Sequence, residues 1–228
     1  MLHMRWLDLM FMHWPVKPEV LRPMIPAALE IDTFDSEAWI GVVPFRMTGI
    51  RPRYVPSLPW VSAFVELNVR TYVKYKGRRG VWFMSLDAAN PLAVRMARWQ
   101  FHLPYFDAKM SCIKNDKEIQ YCSKRTHQGA AAADYMARYR PVGDVYQSAA
   151  GSIEHWLTEQ YVFYSADRNG DIYHGDVDHT PWPLQIAEAE VEQNTMTKWL
   201  GIDLPDTKPL LHFSNGVDVV GWLLRKSK

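Results

Sequence analysis

Alternation of apolar and polar side chains is cleanest between Phe64 and Ala88, in the stretch FVELNVRTYVKYKGRRGVWFMSLDA. A strand turns successive side chains to opposite faces, so Val65, Leu67, Val69, Thr71 and Val73 fall on one side, and Phe64, Glu66, Asn68, Arg70 and Tyr72 on the other. A two-residue turn at Gly77-Arg78 brings Val81 to Asp87 back along this strand, with Arg70 opposite Ser85, Asn68 opposite Asp87 and Tyr72 opposite Phe83. Trp82, Met84 and Leu86 then meet the apolar row, and Glu66, Asn68, Arg70, Ser85 and Asp87 share the other face. A slip of one residue would mix the two sets, so the pattern selects its own register. Charge set among Phe64, Tyr72 and Phe83 suits the wall of an enclosed cavity; the solvent side of an antiparallel sheet is the alternative reading.

The same period-two pattern predicts a first strand over Arg5 to Trp14, followed by a short helix, Pro18 to Met24, opened by Pro18 and ended before Pro26. Leu29 to Phe34 and Ala38 to Ile50 read as a hairpin about a polar turn. Arg51 to Pro59, with three prolines, reads as a loop. Asn90 followed by Pro91 is an N-terminal helix signal, and Leu92, Met96, Trp99 and Leu103 recur at helical spacing up to Pro104. Tyr105 to Arg125 reads as a hairpin turning at KNDKE. Ala133 to Tyr139 continues it, with Tyr135, Ala137 and Tyr139 on one face and Met136, Arg138 and Arg140 on the other, both faces covered. Ser152 caps a short helix through Glu159, YVFYSA is a strand, DRNGD a turn, Ile172 to Val177 a return strand, and His179 to Pro183 an interruption. A helix is expected over Glu192 to Leu200, and a last hairpin, LLHFS with VDVVGWLL, about Asn215-Gly216. Many strands and few short helices, with no repeat or linker, predict one α+β domain over 1–228, mainly β, built on a large curved antiparallel sheet.

Composition narrows the partners. The 228 residues are 48% apolar with ten Trp and eleven Met, which excludes a disordered chain. A formal net charge of +1 gives no general attraction to nucleic acid or to an anionic membrane. No apolar run reaches the roughly twenty residues of a membrane span, and MLHMRWLDLMFMHW is too broken by charge and His to form a signal-peptide core. The reading is a cytoplasmic protein whose partner is a small molecule or another protein. Cys112 and Cys122 lack the number and spacing of a disulfide framework or zinc site; flanking the KNDKE turn, they could face one another across the hairpin, and they are expected to stay reduced. His102, His155 and His179 have no second ligand at a motif spacing, so no metal is expected. With no G-x-S-x-G, Walker loop or dinucleotide fingerprint, no nucleotide or other cofactor is expected either.

The motifs HWPV at 13–16, LRPMIPAALEIDTFDSEAWIGVVPF at 21–45, FVELNVRTYV, GVWFMSLDA, LPYFDAKM at 103–110, LTEQY at 157–161 and HTPWPL at 179–184 closely resemble the YqjF-like family, a domain of unknown function. That family resembles acetoacetate decarboxylase at a distance. The resemblance implies a strongly bent sheet wrapped into a cone or partly closed barrel around a pocket, with the Glu66 and Arg70 face inside, and it leaves a homo-oligomer open. The decarboxylase works through a pocket lysine that forms an imine with a ketone. In the matching segment here, Arg98 to Phe106, Tyr105 and Phe106 stand where the lysines would be, so the resemblance carries the fold and argues against imine chemistry. Lys109, the nearest lysine, lies roughly 13 Å further along the strand.

Six residues are therefore candidate ligand contacts: Glu66, Asn68, Arg70, Ser85, Arg98 and Tyr105. Glu66 resembles the acidic residue of the decarboxylase pocket. Arg70 offers a planar fork to a carboxylate or phosphate, unless it forms an internal ion pair with Glu66 or Asp87. Two readings of function follow: a binder of a small anionic or carbonyl-containing molecule, or an enzyme using Glu66, Arg70 or Tyr105 as acid and base on such a substrate. In a third, the pocket is vestigial and the surface acts.

Overall fold

The computed structural model describes residues 1–56 and 62–227. In chain order its elements are β1 (Leu2–Val16), α1 (Pro18–Leu21) running into a 3-10 turn at Arg22–Met24, β2 (Glu30–Ile31), β3 (Ala38–Pro52), β4 (Phe64–Tyr75), β5 (Arg78–Ala88) and α2 (Pro91–Phe101). Next come β6 (Tyr105–Asn115), β7 (Glu118–Arg125), β8 (Asp134–Tyr146), α3 (Ile153–Thr158), β9 (Val162–Ala166), β10 (Ile172–His179), β11 (Leu184–Asn194), a 3-10 turn at Lys198–Leu200, β12 (Leu210–Gly221) and β13 (Arg225–Lys226). All the strands lie in one sheet of order β13-β10-β9-β5-β6-β7-β8-β11-β12-β1-β3-β4-β2, and β4 also pairs with β5. The sheet therefore bends until it rings part of itself, without becoming a regular barrel. It is mixed rather than wholly antiparallel: β5 runs parallel to β6, to which it crosses over through α2, and also to β9.

Bending splits the core in two. One face of β1, β3 and β4 packs Met10, Met12, Ile40, Val42, Leu67 and Val69 against Tyr121, Tyr135 and Tyr139 from β7 and β8. The opposite face carries Phe11, Val43 and Phe45, covered by Trp182, and continues through Tyr72 to Trp156 and Leu157 of α3. Both faces of β4 are thus buried from Glu66 to Val73, which removes the solvent-side reading of its polar row.

Several expectations meet a different structure. The β4–β5 turn is Lys76-Gly77, with Tyr75 opposite Arg78; both turn residues have positive φ, 49° and 80°, the geometry that matches strand twist in a two-residue hairpin. Near the turn Arg70 faces Phe83, two positions from the expected register, so the faces are kept. At Met84 the register then shifts, and Val69 pairs with Ser85 and Leu67 with Asp87. One extra residue in β5 exchanges the faces beyond it. Ser85 and Asp87 therefore lie with Leu67 and Val69, while Leu86 and Ala88 join Glu66 and Asn68.

β2 pairs with β4, not β3, and beyond it only a Phe34–Glu37 bridge remains of the expected hairpin. β3 runs on to Pro52, into the expected proline-rich loop, whose residues 57–59 lie outside the described residues. Glu192 belongs to β11 rather than a helix, and Leu210–Gly221 is one strand rather than a hairpin. At Gly216 a side chain would collide with Trp6 O, and the backbone takes φ 133°. The Asn-Gly pair here kinks a continuous strand that β1 holds on its flank. Asn90 does cap α2, accepting from the N–H groups of Leu92 and Ala93. The buried side of α2 is Val94 with Ala97 and Phe101, however, while Leu92, Met96 and Trp99 point outward, Trp99 at 81% exposure. On β8, Tyr135, Ala137 and Tyr139 are buried but Met136, Arg138 and Arg140 are exposed, so only one face is covered. Cys112 pairs with Tyr121 and Cys122 with Ser111, which puts the two free thiols on opposite faces of their hairpin.

Candidate functional site

Register alone assembles a polar row on the face beneath α3. Leu210 lies opposite His13, His13 opposite Gly41, Gly41 opposite Arg70 and Arg70 opposite Phe83, across β12, β1, β3, β4 and β5. His212 sits two residues along β12, opposite Phe11. Along β4 the same face presents Glu66, Asn68, Arg70 and Tyr72, spaced about 7 Å apart. Gly41 is what lets His13 and Arg70 lie side by side: a Cβ there would stand 2.9 Å from the His13 ring and 3.4 Å from Arg70 Cγ.

Arg70 is the centre of this row. It is 9% exposed, and among the described residues no carboxylate lies within ion-pair distance of it. Its Nη2 donates to Leu157 O at 3.3 Å, its guanidinium lies 5.4 Å from the Phe11 ring and 5.8 Å from the Tyr72 ring, and Nε has no partner among the described residues. The internal pairs with Glu66 or Asp87 that the sequence allowed do not form. Tyr72 OH donates to Leu157 O at 2.8 Å, and His13 Nε2 lies 2.7 Å from the same hydroxyl. With the tyrosine proton directed to Leu157, Nε2 carries the imidazole hydrogen and Nδ1 is a bare, unpartnered acceptor. Burial first, then Arg70 and His212, hold His13 well below the usual histidine range, so it is neutral. His212 Nδ1 and Asn68 Oδ1 are also buried without partners among the described residues.

At the other end of the row, Tyr105 OH donates to Glu66 Oε2 at 2.9 Å. Burial pushes the Glu66 carboxyl up to about 8, against the Tyr105 hydrogen bond that lowers it and with the Asp87 charge adding to the rise. Glu66 is therefore protonated at neutral pH and can give or take a proton there. Burial, with Glu66 beside it, raises the Tyr105 phenol well above its ordinary value.

Of the six predicted contacts, Glu66, Asn68, Arg70 and Tyr105 come together on this face. Ser85 lies on the opposite face, buried, its hydroxyl without a partner among the described residues. Arg98 is on the exposed side of α2, where Nη1 donates to Tyr105 O at 2.6 Å and so anchors the start of β6 rather than reaching the row. Sequence reasoning missed His13 and His212, about two hundred positions apart; the available signal was a polar residue at an inward position of each of two apolar strands. Asp87 belongs to a separate cluster, where Arg125 Nε and Nη2 donate to it at 2.9 and 2.6 Å. Tyr105 and Phe106 open β6, and among the described residues no lysine is buried. Lys109 is exposed.

Known proteins resemble the chain in sequence and in fold. The uncharacterized protein YqjF of Bacillus subtilis is 48% identical over 221 residues, 97% of this chain and 90% of that protein. Among solved structures, the enduracididine biosynthesis enzyme MppR complexed with pyruvate superposes with a TM-score of 0.64 at 12% identity, over 97% of this chain and 89% of that one. Acetoacetate decarboxylase from Legionella pneumophila gives 0.61 at 12%, over 98% and 87%. At such identities the structural likeness establishes an acetoacetate decarboxylase-like fold. A family model matches residues 3–218, and with it the chain belongs to DUF2071, a family of uncharacterized conserved proteins.

Proposed function

We propose that the polar row on β4 binds a small carboxylate that also carries a carbonyl group, with Arg70 as the anchor for its negative charge. The observation that carries this reading is a buried guanidinium that has no carboxylate partner among the described residues. Burying a charge is costly unless it is paired, and a ligand carboxylate would supply the missing charge and take up Arg70 Nε. Asn68 stands next along that face of the strand to hydrogen-bond the ligand, and protonated Glu66, steadied by Tyr105, lies on the same face. The pyruvate complex of MppR, on the same fold, supports this ligand class. Binding proceeds without an imine in this reading, since Tyr105 and Phe106 stand where the resemblance to acetoacetate decarboxylase would put its lysines.

The test is calorimetric titration with pyruvate and with acetoacetate. Saturable binding is expected, weakened by roughly 1.5–3 kcal/mol, about ten- to a hundredfold, in Arg70→Ala. Equal affinity in native protein and variant would remove Arg70 from the site.

A second reading, acid–base catalysis on the same ligand, is favoured by Glu66. A carboxyl that titrates near neutrality is what proton transfer at physiological pH requires. NMR titration of the Glu66 side chain should show its midpoint near 8; a midpoint near 4.5 would leave binding alone.

A further inference from the structure

We infer that copies of this chain associate head to tail, β11 of one copy adding as an antiparallel strand to the open edge of β6 in the next. β6 pairs with β7 along its length but with β5 only at residues 105–107. β11 is its counterpart: β8 flanks it throughout, while β12 pairs with it only at residues 184–186. Among the described residues no other backbone hydrogen bond closes the free side of 108–115 or of 187–194. Each edge therefore keeps a row of N–H and C=O groups that another extended chain can pair in full.

Charge selects which chain that is. On the outer face of β6, Lys109 stands directly opposite Lys124 of β7, both exposed and without an ion pair among the described residues. Like charges so placed repel, and a carboxylate beside them would relieve it. On β11, Glu188 shares the guanidinium of Arg140, while Glu190 and Glu192 divide that of Arg138, so three carboxylates meet two cations. Two β6 edges brought together would set lysine toward lysine, the device by which an edge strand repels its own kind. Two β11 edges would set glutamate toward glutamate. β6 against β11 of a second copy is the pairing in which the charges attract.

The outward side chains also choose a register. With Lys109 opposite Glu190, Ser111 falls opposite Glu188, and Ile113 comes alongside Ile186 where the paired stretch ends. These isoleucines are 53% and 60% exposed, so each gains cover from the other. A shift of two residues would keep the faces but put Ile113 against Glu188. A stretch of about five residue pairs makes a small contact, hence a weak one. Because the two edges are different surfaces, each copy offers one of each, and association is an open series rather than a fixed dimer.

Sedimentation equilibrium tests this. The average mass of the native chain should climb above that of a single chain between about 10 and 500 µM. Lys109→Glu and Glu190→Lys, both at exposed positions, should keep the native unfolding midpoint, and each alone should weaken association by about tenfold or more. Mixed in equal amounts, the two variants should associate as the native chain does, since every edge again meets its opposite charge. The inference is overturned if the native chain sediments as a single chain throughout, if either variant alone associates like the native one, or if the mixture associates no better than its parts.

Discussion

Among the described residues two arginines are buried in this sheet, and they are buried on different terms. Arg125 and Asp87 have side chains only 1% and 0% exposed, 2.6 Å apart, with the guanidinium 4.1 Å from the Phe106 ring and 5.1 Å from that of Trp199. Two of its three nitrogens are satisfied by a carboxylate that the chain itself provides. Arg70 has aromatic neighbours too, but in place of a carboxylate it has one neutral carbonyl at 3.3 Å. Each keeps one buried nitrogen without a partner among the described residues, Nη1 in Arg125 and Nε in Arg70, but only the first cation has its charge met within the fold. Burial of an arginine therefore says little about function until its partner is known. The completed pair ties β5 to the end of β7 across the start of β6; the other cation has no carboxylate beside it among the described residues.

The contrast is sharpest when the completed pair is broken. Asp87→Ala should cost about 3–5 kcal/mol in urea unfolding, because it strands Arg125 in the core; a loss below about 1 kcal/mol would put both arginines in one class. Glu66 tests the other end of the row through pH. Its folded value of about 8 lies above the ordinary 4.5, so the folded chain holds this proton more tightly than the unfolded one. The stability this contributes is full below pH 4.5 and is lost as pH rises through 8. Glu66→Gln, fixed in a neutral form, should match the native protein near pH 4.5 and exceed it by about 4–5 kcal/mol at pH 8.5. Parallel stability curves for the two would refute the raised value. Arg70→Met comes next: with no carboxylate left behind, its unfolding free energy should stay within about 1 kcal/mol of native or rise, and a loss as large as that of Asp87→Ala would make Arg70 structural. The smallest expected effect is none at all. Incubation with acetoacetate and borohydride should leave the protein mass unchanged, and an adduct mapped to Lys109 would return imine chemistry to this fold.

What could be read from the chain was what local chemistry decides. Asn90-Pro91 starts a helix because both residues act on the turn beside them, and Ser152 caps α3 by accepting from His155 N. The alternation in β4 placed Glu66, Asn68 and Arg70 on one face because a strand's period needs no distant partner. Asn215-Gly216 misled because its pull toward a hairpin is local, while the ladder that β1 makes along Leu210–Gly221 is not. The outward stripe of α2 misled in another way: its spacing is helical, but the side that β5 and β6 cover is Val94 and Phe101. Near the site, His13 and His212 become neighbours only through the pairing of the first and twelfth strands. The bulge at Met84 has no composition of its own.

That single residue gives β5 two handednesses of address. Removing residue 84 would straighten the ladder and leave both faces as they are, since Phe83 would still stand opposite Arg70 and Ser85 opposite Val69; removing Leu86, with the bulge kept, would turn Asp87 from Arg125 toward the side of Glu66. Two acids would then crowd one surface while an arginine on β7 lost its counterion, although no side chain had been exchanged for another. The separation between the acid that pairs with Arg125 and the one that meets Tyr105 is thus written as a length rather than as a choice of residue. Insertions and deletions, more than substitutions, are the changes to which this part of the molecule answers.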